Sequence, residues 1–130
     1  MSALRVGVIG VGHLGFHHAR VYSTLEGVEL AGVVDCDPDR AMKVSLEFGA
    51  PLFTAAEELL AEDVDAVSIV VPTSAHREVA LQCIEAGVDV LVEKPIAATI
   101  DEAEAIVDAA RKRDRIVQVG VWADGLATEE

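Results

Sequence analysis

Three glycines near the amino terminus have the spacing that lets a polypeptide backbone approach a phosphate group. They are Gly10, Gly12 and Gly15, in a Gly-x-Gly-x-x-Gly pattern that directly follows a strand-like run at residues 4–9. In such a pattern the first glycine makes a tight turn, the second leaves room for a pyrophosphate, and the third allows a helix to pack closely. His13 and Leu14 would open that helix beside the phosphates. A tight turn without a ligand is the structural alternative.

An acidic residue lies where the same ligand would present a ribose. Asp35 follows Gly15 by 20 residues and ends a second strand-like run, which is the offset typical of a ribose-binding carboxylate. Such a carboxylate can accept hydrogen bonds from both adenosine ribose hydroxyls and repels a 2′-phosphate, which favours NAD over NADP. Arg40 is close enough in sequence to reach such a phosphate and weakens that preference. Capping of the turn by Asp35 is the structural alternative.

Two more polar groups follow later apolar runs. Pro72 and Thr73 end the fourth run, with His76 in the first turn of the helix predicted after them, and Glu93 and Lys94 end the fifth run. The carboxyl ends of parallel strands meet at one edge of a sheet, so we expect these residues to share an edge with the glycines. The structural alternatives are a helix cap at Thr73, a buried histidine and a solvated surface lysine.

The elements that must position these residues are those of a doubly wound α/β sheet. The chain of 130 residues is 52% apolar but only 4% aromatic, a composition typical of a parallel sheet covered on both faces. Six strands alternate with helices over residues 1–120, which predicts a single three-layer Rossmann domain with strand order 3-2-1-4-5-6. The strands are predicted near residues 4–9, 28–35, 51–53, 65–71, 88–93 and 116–120.

Sequence signals also predict where the helices lie. Helices should begin after the glycines, at Pro38 and after Ser74, with capping boxes formed by Thr54 and Glu57 and by Thr99 and Glu102. The last helix is expected to bury four apolar side chains, those of Ala103, Ile106, Val107 and Ala110.

Charge and cysteine content exclude several classes of function. The formal net charge of −13 disfavours nucleic acid and anionic membranes as partners, and the basic run at residues 111–115 fits the carboxyl end of a helix. His13 and His17 have the spacing of a zinc pair, but no third ligand accompanies them, so no metal site is expected. Two cysteines give neither a disulfide framework nor a metal motif. Without a signal segment or membrane span, a cytoplasmic protein is predicted.

Four motifs together resemble the amino-terminal half of the glucose-fructose oxidoreductase and inositol dehydrogenase family. The resemblance covers residues 4–120, and its most specific part is Glu-Lys-Pro at residues 93–95. The motifs are Gly-Val-Ile-Gly-Val-Gly-His-Leu-Gly at 7–15, Val-Val-Asp at 33–35, Val-Pro-Thr-Ser-Ala-His-Arg-Glu-Val-Ala at 71–80 and Ala-Gly-Val-Asp-Val-Leu-Val-Glu-Lys-Pro-Ile-Ala at 86–97.

The resemblance implies an NAD(P)-dependent oxidoreductase acting on a sugar or cyclitol hydroxyl. The Gly-His-Leu-Gly variant is also similar to nucleotide-sugar 3-dehydrogenases. By this resemblance Lys94 is the catalytic residue, hydrogen-bonded to the substrate hydroxyl and helping to move its proton. Glu93 either orients Lys94 or takes part in the chemistry. Pro72 and Thr73 would lie against the nicotinamide ribose, and His76 would line the cofactor cleft.

The chain also departs from the family pattern. In the family a second, α+β domain follows the sixth strand, whereas here an atypical tail follows at residues 121–130. The expectation is therefore a chain that binds NAD but is catalytically incomplete, with a sugar or nucleotide sugar bound only when a second domain is present. A homo-oligomer is possible. The alternatives are a non-catalytic NAD-sensing or regulatory module and a methyltransferase, against which Glu-Lys-Pro and the full glycine pattern argue.

Overall fold

A computed structural model describes residues 3–123 and 126–129, with side chains described for residues 3–120. The strands are β1 (Leu4–Ile9), β2 (Val28–Val34), β3 (Leu52–Phe53), β4 (Ala66–Ile69), β5 (Asp89–Glu93), β6 (Val117–Ala123) and β7 (Leu126–Glu129). The helices are α1 (His13–Thr24), α2 (Pro38–Phe48), α3 (Ala56–Leu60), α4 (His76–Glu85) and α5 (Ile100–Arg113), and a 3-10 turn spans Thr73–Ala75.

The sheet confirms the predicted order of the six parallel strands. Its order is β3-β2-β1-β4-β5-β6-β7, and β1 to β6 run parallel. The first three strands are added in one direction from β1 and the later strands in the other, so β1 has β2 on one side and β4 on the other. This reversal opens a crevice at the carboxyl ends of the strands, where ligands of doubly wound sheets bind.

Two separate hydrophobic clusters cover the two faces of the sheet. One contains Val8, Val33 and side chains of α1 and α2, such as Ala19 and Val44. The other contains Ile69 and residues of α3, α4 and α5, among them Leu59, Ile84 and Ile106. The prediction of a three-layer fold is therefore confirmed. The buried core on both faces of the sheet holds in place the strands whose ends carry the polar groups.

The structure corrects the predicted end of the sheet. The sixth strand does not stop at Gly120 but continues to Ala123, and β7 pairs with it in the antiparallel direction. The prediction ended the strand at glycine, although the apolar Val-Trp-Ala that follows supports an extended strand. Residues 124, 125 and 130 of the predicted tail lie outside the described residues.

Two local predictions about helices need correction, and a third agrees with the structure. In α3 the acidic partner of the cap is Glu58 rather than Glu57, because its carboxylate accepts from the backbone N–H groups of Thr54 and Ala55. The helix predicted after Ser74 is α4, which starts at His76 after a 3-10 turn. In α5, Val107 is 40% exposed because the buried stripe narrows to Ile106 and Ala110.

One glycine inside β1 marks a close approach between the sheet and α3. A Cβ at Gly7 would lie 2.5 Å from Cδ2 of Leu59, a side chain that is fully buried. Leu59 thus packs directly on the backbone of β1 and sets the height of α3 above the sheet.

This contact predicts a non-additive pair of substitutions. Gly7→Ala should lower the free energy of unfolding by about 1–3 kcal/mol through overpacking, and Leu59→Ala by about 2–5 kcal/mol through the cavity it leaves. The double variant should lose less free energy of unfolding than the two single variants lose together, because the new methyl group enters the space that leucine vacates. Urea unfolding of all four proteins measures this, and simple additivity would show that the two side chains do not share that space.

Candidate functional site

The turn after β1 is shaped by two glycines that the surrounding backbone requires. Gly10 has a φ of +96°, and a Cβ there would overlap the carbonyl oxygen of Val70. A Cβ at Gly15 would overlap the carbonyl oxygen of Gly10 itself. The first turn of α1 therefore lies directly on the end of β1, and any larger residue at either position would push the helix away from the sheet.

Gly12 differs because a Cβ there would overlap no described atom of the protein. Its φ of −68° suits any residue, and the nearest atom to a Cβ would be Nη1 of Arg40, at 3.7 Å. Gly12 caps α1 without a side-chain hydrogen bond, and the first turn of the helix carries no acidic residue. The open space and the positive end of the helix dipole suit an anionic group lying against this backbone.

Asp35 ends β2 as a buried carboxylate with several hydrogen-bond donors. It is 5% exposed. Its Oδ2 accepts from the backbone N–H of Val11 at 2.9 Å. Its Oδ1 accepts from the N–H of Asp37 at 2.8 Å and from Nη2 of Arg40 at 3.0 Å. The carboxylate thus joins the end of β2 to the glycine turn and to the start of α2.

These donors keep Asp35 ionised in spite of its burial. Burial by itself favours the neutral acid, but the N–H groups of Asp37 and Val11 and the guanidinium of Arg40 together lower the pKa of Asp35 below its ordinary value. A fixed negative charge therefore lies at the carboxyl end of β2. That charge attracts hydroxyl donors and repels a phosphate.

A cavity of about 440 Å³ joins several of the predicted residues. It lies between the ends of β1, β2 and β4, with Gly10, Gly12, Asp35, Arg40 and Pro72 in its lining. Thr54 and Gln82 also line this cavity, although the sequence had not indicated either as a site residue. A second cavity, of about 460 Å³, also has Gly12 and Arg40 in its lining, together with His13, His17 and Lys43. Gly12 thus borders both cavities.

His76 occupies a different position from these lining residues. It is 1% exposed, and its Nδ1 and Nε2 atoms lie 3.0 and 2.9 Å from the carbonyl oxygens of Pro95 and Val71. The imidazole connects the end of β4 with the turn after β5. The geometry therefore agrees with the structural alternative for His76, while Thr73 opens the 3-10 turn beside it.

Glu93 and Lys94 end β5 and have unlike surroundings. Lys94 is exposed, its backbone N–H donates to the carbonyl of Gly120 at 3.0 Å, and its peptide bond to Pro95 is cis. Within the described part of the chain Lys94 forms no ion pair. Glu93 instead lies 2.8 Å from Nε2 of His18 through its Oε2, so its carboxylate does not orient Lys94 through direct contact.

Comparison with known proteins agrees with this geometry. The family model described as "Oxidoreductase family, NAD-binding Rossmann fold" matches residues 4–121. The chain belongs to the glucose-fructose oxidoreductase and inositol dehydrogenase (Gfo/Idh/MocA) family. These residues therefore form the NAD-binding Rossmann domain of the family. The predicted family resemblance and the predicted cofactor, NAD, are confirmed.

Relatives in this family include dehydrogenases of nucleotide sugars and cyclitols. UDP-N-acetylglucosamine 3-dehydrogenase from Acidithiobacillus ferrooxidans is 45% identical over 92% of this chain and 37% of its own length. Inositol 2-dehydrogenase 3 from Saccharopolyspora erythraea is 39% identical over 90% of this chain and 36% of its own. The structure of GenD2 from gentamicin A biosynthesis in complex with NAD matches with a TM-score of 0.88 and 35% identity, over 92% of this chain and 34% of that one. The chain thus spans a little over a third of these relatives.

Among the described residues no group of three or more His, Cys, Asp or Glu side chains is arranged to hold a metal ion. None of the described helices is both long and apolar enough to cross a membrane.

Gly12 and Gly15 provide a matched pair of substitutions that separates binding from folding. Gly12→Ala should leave the thermal unfolding midpoint nearly unchanged but weaken NAD binding about tenfold or more, because its methyl group enters the open space. Gly15→Ala should lower the free energy of unfolding by about 3 kcal/mol or more, because its methyl group overlaps the backbone of Gly10. Calorimetric titration and thermal melts measure both. Full NAD affinity in Gly12→Ala would show that the ligand does not approach that backbone.

Proposed function

We propose that this chain is the NAD-binding part of an oxidoreductase that transfers hydride between the nicotinamide and a hydroxyl-bearing carbon of a sugar, nucleotide sugar or cyclitol. The observation that carries the proposal is that the ionised Asp35 and the open backbone at Gly12 line one cavity. An anion-accepting backbone and a hydroxyl-accepting carboxylate on the same cavity suit the pyrophosphate and the adenosine ribose of one dinucleotide.

The residues of this chain would divide the work of holding the cofactor. The backbone N–H groups of Gly12, His13 and Leu14 would bind the pyrophosphate at the start of α1. Asp35 would accept the ribose hydroxyls, while Arg40 keeps its carboxylate ionised. Pro72 and Thr73, at the end of β4, would border the other half of the cofactor, and bound nicotinamide supplies the hydride acceptor.

Lys94 is the residue we assign to the proton of the substrate hydroxyl. It lies at the carboxyl end of β5, two strands from the glycine turn in the same sheet, and its side chain is exposed toward solvent. An ammonium group has three N–H donors, and none of the described carboxylates forms an ion pair with Lys94. The group can therefore hydrogen-bond a hydroxyl oxygen and take up or release its proton.

The substrate class rests on the relatives. Two of the relatives described above act on UDP-N-acetylglucosamine and on inositol, according to their names. All of these substrates carry secondary hydroxyl groups on a six-membered ring. Because this chain spans little more than a third of those proteins, we propose that the contacts selecting one ring over another come from outside the 130 residues.

Asp35 predicts a preference between the two nicotinamide cofactors. Wild-type protein should bind NAD in preference to NADP, and Asp35→Ala should shift the ratio of the two affinities toward NADP by about tenfold or more, since the like-charge contact with a 2′-phosphate is removed. Calorimetry with both cofactors measures the ratio.

Asp39→Ala is the matched control, because Asp39 is an exposed acid in the first turn of α2. It removes one negative charge near the cavity and should leave the ratio unchanged. An unchanged ratio of affinities in Asp35→Ala would show that Asp35 does not contact the ribose. Saturable binding of S-adenosylmethionine, with no heat of binding from NAD, would refute the proposed function.

Lys94 predicts a protection pattern among the lysines. The sequence contains three, Lys43, Lys94 and Lys112. Saturating NADH should slow reductive methylation of Lys94, because the nicotinamide half lies beside it, whereas Lys112 near the end of α5 should react at the same rate with and without NADH. Mass spectrometry of the peptides gives both rates. Equal rates at Lys94 with and without bound NADH would place Lys94 outside the cofactor cleft.

A further inference from the structure

A chain of four polar side chains crosses the inside of the fold from α1 to the end of β5. Tyr22 and Ser68 lie 2.5 Å apart through their hydroxyl oxygens. Ser68 Oγ lies 2.9 Å from Nδ1 of His18, and His18 Nε2 lies 2.8 Å from Oε2 of Glu93. Ser68 is fully buried and His18 is 5% exposed, so these hydrogen bonds are made away from water.

Donor and acceptor chemistry gives these hydrogen bonds one direction when His18 is neutral. A carboxylate can only accept, so Nε2 of His18 donates to Glu93. A neutral imidazole then has a lone pair on Nδ1, which accepts from the hydroxyl of Ser68. The oxygen of Ser68 in turn accepts from the hydroxyl of Tyr22. Each hydrogen bond in the chain is satisfied when His18 is neutral with its proton on Nε2.

Burial supports the same protonation state. Burial lowers the pKa of His18, and it outweighs the hydrogen bond and negative charge of Glu93, which act to raise it. Burial likewise raises the pKa of Tyr22, which keeps its hydroxyl protonated as a donor. Burial thus favours the neutral imidazole, and the hydrogen bond to Glu93 places its one proton on Nε2.

This chain of hydrogen bonds joins two parts of the proposed cofactor site that are far apart in sequence. His18 belongs to α1, the helix that starts against the glycine turn, and Ser68 belongs to β4. Glu93 is the residue before Lys94, at the end of β5. A side chain on the phosphate-facing helix therefore determines where the carboxylate next to Lys94 lies.

We propose that His18 is a positioning residue for the nicotinamide end of the site, which it orders by holding Glu93 and with it the turn that carries Lys94. This inference rests on the proposed function, because it takes the Lys94 turn to face the nicotinamide half of the cofactor. It assigns to His18 no contact with substrate or cofactor.

Two substitutions of His18 separate the two hydrogen bonds of its imidazole. The amide of glutamine reaches the position of Nε2, so His18→Gln keeps a donor for Glu93 but loses the acceptor for Ser68. The shorter asparagine places its amide at the position of Nδ1, so His18→Asn keeps the bond to Ser68 but cannot reach Glu93. Both variants are polar and close in size, which makes each the control for the other.

Two ligands separate the two ends of the site. NADH occupies the whole dinucleotide site, whereas ADP-ribose lacks the nicotinamide. We expect His18→Asn to weaken NADH binding about tenfold and to leave ADP-ribose binding within about twofold of the wild-type value. His18→Gln should bind both ligands nearly as wild type does. Calorimetry on the whole chain measures all six affinities.

The possible outcomes are distinct. Equal losses of NADH affinity in the two variants, or equal losses for NADH and ADP-ribose in His18→Asn, would show a general structural role and overturn the inference. If the wild-type chain binds ADP-ribose but both variants bind NADH normally, the inference fails while the proposed function stands. If the wild-type chain binds neither ligand, both fail together.

A spectroscopic readout tests the tautomer independently of binding. In protein labelled with nitrogen-15 at histidine, His18 should give the spectrum of a neutral imidazole with its proton on Nε2 at neutral pH, both with and without NADH. Tyr22→Phe should alter the Nδ1 signal, since Ser68 then loses its donor, and leave the Nε2–H signal in place. A spectrum of a doubly protonated His18, or of the Nδ1–H tautomer, would contradict the assigned direction of the chain.

Discussion

The close contact between Gly15 and the carbonyl oxygen of Gly10 is the constraint on which the site depends. It brings the start of α1 onto the end of β1, while the turn at Gly10 fits beneath the carbonyl of Val70. These contacts leave no space for a side chain at either glycine. The open backbone at Gly12 and the N–H of Val11 that donates to Asp35 belong to this turn, and His18 belongs to the helix that starts there.

Charge is distributed around this constraint in a way that suits one ligand. The protein as a whole carries a formal net charge of −13, yet the turn at Gly12 is bordered by Arg40 and by the acid-free start of α1. Asp35 places a buried carboxylate in the lining of the same cavity, hydrogen-bonded to the N–H of Val11 in the glycine turn. An anion-accepting backbone and a hydroxyl-accepting carboxylate therefore lie close together in a protein whose overall charge is negative.

Much of the fold and of the candidate site follows from the sequence. The period of the apolar residues, the spacing of the glycines and the acidic residues at strand ends each reflect a local structural requirement. The parallel order of six strands, the turn at Gly10 and the place of Asp35 at the cavity were predictable on this basis. The network around His18 was not predicted, because it depends on which face of α1 meets β4. Its one sequence signal is Ser68, a hydroxyl residue within the apolar run Ala-Val-Ser-Ile. The cap at Glu58 and the exposure of Val107 likewise depend on helix rotation by a single position.

We propose that the carboxyl ends of the parallel strands form one NAD site. An NMR titration of the nitrogen-15-labelled chain with NAD, following the backbone amide of every residue, tests this most directly. The largest shifts should occur at Gly12, His13, Asp35 and Lys94, and the opposite edge of the sheet, around Gly27, Gly87 and Asp114, should change little. Shifts concentrated at that opposite edge, or no saturable shifts at all, would contradict it.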